Sequence, residues 1–135
     1  MPILDVIVSG APSAERSAVI ANALTGLTAG ILRKDARLTS VAVRYVAPEH
    51  WVVGGTALDA QRKASFFLDV RVTAGSNTRE EKARYIAAVF ARMGELLGPL
   101  HQASYVHVHD VPADAWGYGG RSQAHRRAAA VPVAA

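Results

Sequence analysis

Pro2, the second residue of the chain, has a type and a position that could support acid–base catalysis. Removal of the initiator Met1 would leave Pro2 with a free secondary amine, and a small second residue favours that removal. An α-amino group titrates near ~8, and burial lowers the pKa of an amine because it disfavours the charged form. A terminal proline can therefore take and return a proton near neutral pH. The apolar residues 3–8 predict a strand that holds this nitrogen at a sheet end.

Three basic side chains, Arg44, His107 and His109, lie in segments that alternate like strands. Arginine can hold a carboxylate through two parallel hydrogen bonds, and histidine changes charge near neutral pH. All three are therefore candidates for binding a small carboxylate substrate. Alternation alone does not choose the face of the sheet, so solvent or a subunit contact stays an open alternative for each.

His107 and His109 share a strand face and could form half of a metal site. The chain has no cysteine, and no third ligand stands out, so we expect no metal and no cofactor. Trp51 and Trp116 are predicted to contribute to substrate binding as pocket walls, with a subunit interface as the alternative.

The chain consists of two similar units, at about residues 2–63 and 65–127. Each unit has a strand, an amphipathic helix, a second strand and an aromatic segment closed by a glycine pair. The predicted apolar stripes are separated by 66 positions: Ile20, Leu24, Leu27 and Ile31 in the first unit, and Ile86, Phe90, Met93 and Leu97 in the second. We expect a single domain over residues 1–127 and a flexible tail over 128–135.

A helical crossover makes the two strands of each unit parallel and the connection right-handed. The fold class is therefore α/β: tandem β-α-β units that form a four-stranded mixed sheet with two helices on one face. The other face is expected to be a bare apolar patch, which predicts an oligomer.

Composition narrows the classes of function. Half of the 135 residues are hydrophobic, but no apolar run could cross a membrane. The absence of cysteine and of a signal peptide favours the cytoplasm. The net charge is +4, yet aromatic residues do not alternate with the basic ones, so no nucleic acid is expected as a partner.

These features resemble the tautomerase superfamily, which includes 4-oxalocrotonate tautomerase, macrophage migration inhibitory factor, malonate semialdehyde decarboxylase and cis-3-chloroacrylic acid dehalogenase. The resemblance rests on Pro2 before a strand, on the doubled unit and on the motif His-Trp-Val-Val-Gly-Gly at residues 50–55. It implies a homotrimer, Pro2 as the catalytic residue, and Trp51 at the aromatic site position with Trp116 as its repeat.

The arginines of the family are missing. Their expected positions hold other residues, namely Ala11, Pro12, Ser40, Ala42, Thr73, Ser76, Tyr105 and His107, and the dehalogenase's histidine position holds Thr28. Position 66 is Phe66 within the chain, so one reactive proline per chain is expected.

The resemblance implies a cofactor-free tautomerase in which Pro2 is the general base on a small enolisable 2-oxo acid. Two alternatives stay open: a dehalogenase, hydratase or decarboxylase with Pro2 as general acid, and a non-catalytic trimeric binding protein.

Overall fold

A computed structural model describes residues 1–130 of the chain. The first unit contains β1 (Ile3–Ser9), α1 (Ala14–Ile31), β2 (Ser40–Val46), a hairpin of β3 (Val52–Val53) and β4 (Thr56–Ala57), and the short helix α2 (Leu58–Gln61). The second contains β5 (Phe66–Thr73), α3 (Arg79–Leu97), β6 (Tyr105–Val111), a hairpin of β7 (Gly117–Tyr118) and β8 (Arg121–Ser122), and α4 (Gln123–Ala130). The strands and α-helices of the two units correspond one to one, and the first unit also has short 3-10 helices at Ala36–Leu38 and Pro48–His50.

The four long strands form one sheet in the order β2-β1-β5-β6. β1 pairs with β2 and β5 with β6 in parallel, whereas β1 and β5 are antiparallel, with Asp5 opposite Asp69. The predicted α/β fold with a four-stranded mixed sheet is confirmed. The antiparallel centre has one consequence for the site: β1 begins at the sheet edge where β5 ends.

The helices begin where the cap residues predict. Ser13 Oγ accepts a hydrogen bond from the backbone N–H of Arg16 at 3.1 Å. Thr78 and Glu81 form a complete capping box at the start of α3, so each side chain accepts from the other residue's backbone N–H. Both helices pack on one face of the sheet, over strand residues that include Leu4, Val6, Leu68 and Val70.

The buried stripe of α3 differs from the predicted one. Its buried residues are Tyr85, Val89 and Met93, whereas Ile86 and Phe90 are 42% and 38% exposed. The buried residues of α1 are Ile20, Leu24 and Thr28. The helices therefore correspond at an offset of 65 positions, and the predicted offset of 66 is wrong.

A polar pair explains the wrong register. Thr28 Oγ1 and the Tyr85 hydroxyl lie 2.8 Å apart in the core, and Thr28 also donates to the Leu24 carbonyl. Because each hydroxyl has a partner, both residues can be buried without a large desolvation cost. A count of apolar residues alone passes over them.

The uncovered face of the sheet is not the predicted apolar patch. Ile3, Phe67 and Tyr105 are exposed there, but they alternate with charged or titratable residues, namely Asp5, Arg44, Asp69, Arg71, His107 and His109. A partner is therefore not required merely to cover apolar surface on this face.

The C-terminal end also departs from expectation. α4 continues to Ala130, so residues 128–130 are helical where a flexible tail was predicted. Alanine is the best helix former, which accounts for the continuation. Residues 131–135 lie outside the described part of the chain. Within residues 1–130, no helix has the length and apolar character needed to span a bilayer.

Candidate active site at the start of the first strand

A cavity of about 510 Å³ lies where β1 begins, β5 ends and α4 passes. Four of its lining residues are cationic, namely Arg33, Lys34, Arg126 and Arg127. The others are Met1, Asp35, Thr73, Ser76, Tyr118 and Gln123. The topology explains why residues after α1 lie beside Met1, because α1 runs antiparallel to β1 and returns the chain to the edge where β1 started.

Pro2 is buried at this edge. Its carbonyl accepts a hydrogen bond from the Ser40 backbone N–H at 3.2 Å, which fixes the residue to β2. Met1 extends into the cavity, and burial lowers the pKa of its terminal amine, with the charge of Lys34 lowering it further. A terminal amine at this place therefore loses its proton more easily than in water.

Lys34 is held in place from the opposite side of the cavity. Its Nζ donates to Ser76 Oγ at 2.8 Å, and Ser76 Oγ donates to the Thr73 carbonyl. Burial lowers the pKa of Lys34 most, and Arg33 and Arg127 lower it further, while Glu81 and Asp110 raise it. The pKa of Lys34 is therefore lowered chiefly by burial, while the neighbouring cations and carboxylates act in opposite directions.

The carboxylates at this end already have partners. Asp35 accepts hydrogen bonds from Arg37, which lower the pKa of Asp35 below its usual value. Glu81 pairs with Arg33 at 2.9 Å. The pKa of Glu81 is lowered, chiefly by its bond from the Thr78 backbone N–H. The cavity therefore favours an anionic ligand.

Arg126 is held in the wall by the β7–β8 hairpin. Its guanidinium lies 3.8 Å from the centre of the Tyr118 ring and donates to the Tyr118 carbonyl at 3.2 and 3.0 Å. Gly119 and Gly120 both have positive φ, as the tight hairpin requires. A side chain at Gly119 would also meet the Arg126 guanidinium. The glycine pair thus leaves room for the Arg126 guanidinium in the cavity wall.

The other predicted binding residues do not line this cavity. Arg44 lies on the uncovered face, where it donates to both carboxylate oxygens of Asp5. His107 stacks on His109 with 5.2 Å between ring centres, and its Nδ1 lies 3.4 Å from Asp69. Among residues 1–130, no three potential metal ligands cluster.

The two tryptophans have equivalent structural positions. The Trp51 carbonyl accepts from the Leu58 N–H and the Trp116 carbonyl from the Gln123 N–H, each at 2.9 Å. Trp116 lies beside the outer surface of the second hairpin, in a separate depression. Neither tryptophan lines the cavity beside Pro2, and their role in substrate binding stays a prediction.

Sequence reasoning missed the residues that supply the charge. By its pattern alone, the sequence around Lys34 is typical of a polar segment that ends a helix, and that around Arg126 and Arg127 of a solvated basic end. The signal was topological, since the residues that follow α1 must lie beside the start of β1 in a β-α-β unit. Gln123 had no such signal, because its role depends on the path of α4.

A smaller cavity of about 270 Å³ lies at the opposite edge of the sheet. Its walls include the internal equivalents of four active-cavity residues: Ser9 for Thr73, Leu58 for Gln123, Arg62 for Arg127, and Pro99 for Lys34. At this edge the chain passes through Ala64 to Phe66 without a break, so no terminal amine can be present.

Comparisons with known proteins agree with this architecture. Residues 67–126 match the family model described as "Tautomerase enzyme". The chain is 34% identical over 61 residues to the probable tautomerase K2 of Dickeya dadantii (strain 3937), a match that covers 45% of this chain and 91% of that relative.

Solved structures show the same fold over most of the chain. The native fused 4-OT has a TM-score of 0.79 at 24% identity and covers 91% of this chain and 97% of its own. The R7 fused 4-OT, described as a wild-type asymmetric trimer, has a TM-score of 0.80 at 22% identity and covers 93% of this chain and 98% of its own.

Proposed function

The chain belongs to the tautomerase family, and on that premise we propose that Pro2, once Met1 is removed, is the general base of a cofactor-free tautomerase. The substrate is a small enolisable 2-oxo acid. Family membership supports a tautomerase or a related enzyme, and the catalytic base and the substrate class are our proposal.

The observation that carries the proposal is the position of Pro2 beside a cationic cavity. Pro2 is buried and tied to β2, and four basic residues line the space into which its freed nitrogen would open. Burial and Lys34 already lower the pKa of the Met1 amine in this space. We expect the same two effects to lower the pKa of a Pro2 amine and so to favour its neutral, basic form.

The reaction follows from this arrangement. Neutral Pro2 removes a proton from the carbon beside the substrate carbonyl. The electron pair of that C–H bond forms a C=C bond, and the carbonyl π pair moves to oxygen. In a substrate with a further C=C bond conjugated to the enolate, the protonated amine then returns the proton to the far carbon of that bond, the double bond shifts and the carbonyl reforms. In simple keto–enol conversion the enol oxygen exchanges a proton while the amine adds or removes the one on the carbon beside the carbonyl. The cations hold the carboxylate by charge-assisted hydrogen bonds and offset the developing charge.

Reactions that add water are less well supported. Hydration and dehalogenation need a group that activates water, and Asp35 and Glu81 are both engaged with arginines. A non-catalytic binding protein would not need a free terminal amine at all.

We also propose a homotrimer, as the fused 4-OT structures are described. The uncovered face would then lie between subunits. In that setting Arg44, His107 and His109 make subunit contacts, which was the alternative to their predicted ligand role.

The test begins with the intact mass of protein from its native host, which should lack one methionine. Phenylenolpyruvate and 2-hydroxymuconate then serve as probes of keto–enol conversion. Pro2→Ala keeps a primary terminal amine and should lower kcat by about 10²–10⁴-fold. Pro12→Ala, a change in the exposed turn before α1, is the matched control and should retain wild-type rates. Retention of Met1 in native folded protein, or a Pro2→Ala variant as fast as wild type, would overturn the proposal.

A further inference from the structure

The Gln123 side chain is a polar group buried directly beside Pro2. Only 9% of the residue is exposed, and its Nε2 donates a hydrogen bond to the Met1 carbonyl oxygen at 3.3 Å. Because a carbonyl oxygen only accepts, the amide must present its N–H to this point. Gln123 is the first residue of α4, and its backbone N–H is bonded to the Trp116 carbonyl, so its position is fixed.

The internal repeat shows that the fold does not require an amide here. Leu58 stands at the equivalent position, as the first residue of α2, with its N–H on the Trp51 carbonyl. Leu58 is fully buried and apolar. Burying an amide in place of a leucine is costly unless the amide is hydrogen-bonded. Within residues 1–130 the Gln123 side-chain amide has one hydrogen-bond partner, the Met1 carbonyl, and that partner leaves when Met1 is removed.

The Met1 carbonyl oxygen marks where a substrate oxygen can sit. By standard peptide geometry it lies about 2.2 Å from the Pro2 nitrogen, and a substrate oxygen in the same direction would stand slightly farther away, at about 2.7–3.2 Å. Removal of Met1 empties this space and leaves an N–H donor aimed at it, next to the nitrogen that takes the proton. An oxygen attached to the carbon beside the reacting one falls in the same region.

We propose that Gln123 is a catalytic residue that donates a hydrogen bond to the substrate's carbonyl oxygen as it becomes an enolate oxygen. The inference rests on the proposed function of Pro2. When Pro2 removes the proton, the π pair of the carbonyl moves to this oxygen, and the Gln123 N–H stabilises the charge. The pair moves back when the proton is returned, so Gln123 gains and loses nothing.

The first experiment measures binding and does not need turnover. Oxalate is a planar dianion that resembles the enolate of a 2-oxo acid. In the processed protein, oxalate should shift the side-chain amide resonances of Gln123 in ¹⁵N–¹H spectra. Gln61 supplies an internal control, because its Nε2 is bonded to the Val53 and Thr56 carbonyls in the first hairpin. Its amide resonances should not move. An unmoved Gln123 amide at saturating oxalate, or no oxalate binding, overturns the inference.

The second experiment measures rates with variants of similar shape. Gln123→Met removes the donor and should lower kcat by about 10²–10³-fold with little change in KM, the loss expected of one donor to a developing oxyanion. Gln123→Glu sets a like charge against the oxyanion and should be slower still when compared on the alkaline plateau. Gln61→Met should keep the wild-type kcat.

Thermal unfolding separates a structural role from a catalytic one. If Gln123 only anchors α4, the loss of kcat in each variant will follow its loss of stability. Gln123→Met and Gln123→Glu will then have the same kcat when their stabilities are equal. A normal kcat for Gln123→Met in a protein where Pro2→Ala is slow overturns the inference alone. A fast Pro2→Ala variant overturns the proposed function, while a shifted Gln123 resonance would still place its N–H on the ligand.

Discussion

The ammonium group of Lys34 lies 2.8 Å from the hydroxyl of Ser76. This hydrogen bond joins the end of α1 to the turn after β5. Ser76 stands at a position where the family resemblance leads one to look for an arginine. The chain brings a cation to this place from another element, so the cavity keeps a positive group beside Ser76.

Lys34→Gln should weaken binding of a carboxylate substrate. The variant keeps a donor for Ser76 but loses the charge, and a hydrogen bond to a charged group contributes about 1.5–3 kcal/mol. We expect KM for phenylenolpyruvate to rise at least about tenfold, as measured by steady-state kinetics. Lys63→Gln, an exposed lysine near the smaller cavity, is the control. An unchanged KM would remove Lys34 from the binding residues.

The same variant should move the pH profile. The charge of Lys34 lowers the pKa of the terminal amine in the cavity, after burial. A lowered pKa keeps the amine neutral, and so basic, down to a lower pH. Without the charge the pKa rises, so the increase of kcat/KM with pH should shift to higher pH in Lys34→Gln. A profile that stays in place would show that the group titrating is not beside Lys34.

Arg44→Ala should weaken the assembly. In the single chain the Arg44 and Asp5 side chains are 61% and 49% exposed, and such a pair contributes about 0–1 kcal/mol. If the face is buried between subunits, loss of one partner leaves an unpaired charge that costs about 3–5 kcal/mol. Sedimentation over a range of concentrations should show dissociation of the variant where wild type is trimeric.

The double variant Asp5→Ala/Arg44→Ala should recover part of the trimer, since no charge remains unpaired. Arg92→Ala is the matched control, because Arg92 pairs with Glu95 on the exposed side of α3. If Arg44→Ala sediments as wild type does but raises KM, the predicted ligand role of Arg44 gains support over a subunit contact.

Tyr85 should make the protein sensitive to alkali. Burial raises its pKa to about 12, although its hydrogen bond with Thr28 opposes the shift. The unfolded chain loses this proton near ~10, so stability is complete below that pH and falls as pH rises towards the folded pKa. The loss is about 2–3 kcal/mol in all.

Denaturant unfolding at fixed protein concentration between pH 9 and 12 measures this loss. Tyr85→Phe has no hydroxyl to ionise, so its stability should decline less steeply than that of wild type. Thr28 keeps its bond to the Leu24 carbonyl in the variant. Tyr105→Phe, at a residue 63% exposed, should decline as wild type does. Equal slopes for Tyr85→Phe and wild type would contradict the assignment.

The backbone could be predicted from the sequence because its signals are local. Ser13 and Thr78 cap helices through hydrogen bonds to residues three positions further along the chain. Alternation of apolar and polar residues indicates a strand wherever one face of the sheet is buried. The helix register could not be read in the same way. It depends on Tyr85 meeting Thr28 across 57 positions of sequence. A count of apolar residues places Ile86 and Phe90 in the buried stripe of α3 instead.

The residues of the candidate site also divide into those with a local signal in the sequence and those without one. Pro2 was identified because its chemistry follows from its type and place in the chain. Lys34 and Arg126 reach the cavity through topology and through the path of a hairpin, and Gln123 through a contact with Met1 across 122 positions. Arg44 drew attention as an isolated strand arginine, but Asp5, its neighbour across the strands, accounts for that charge.

The smaller cavity at the far end of the sheet can be compared, within one molecule, with the cavity beside Pro2. Both ends inherit one plan from the doubled unit, yet only one has a chain terminus. At the other end Pro99 and Leu58 take the places of Lys34 and Gln123, and an unbroken peptide takes the place of the amine. Residues that both ends share are expected to serve folding, and residues that differ include those that the proposed reaction would use. The duplicated unit thus supplies, inside one molecule, a second end without a terminal amine with which each polar group beside Pro2 can be compared.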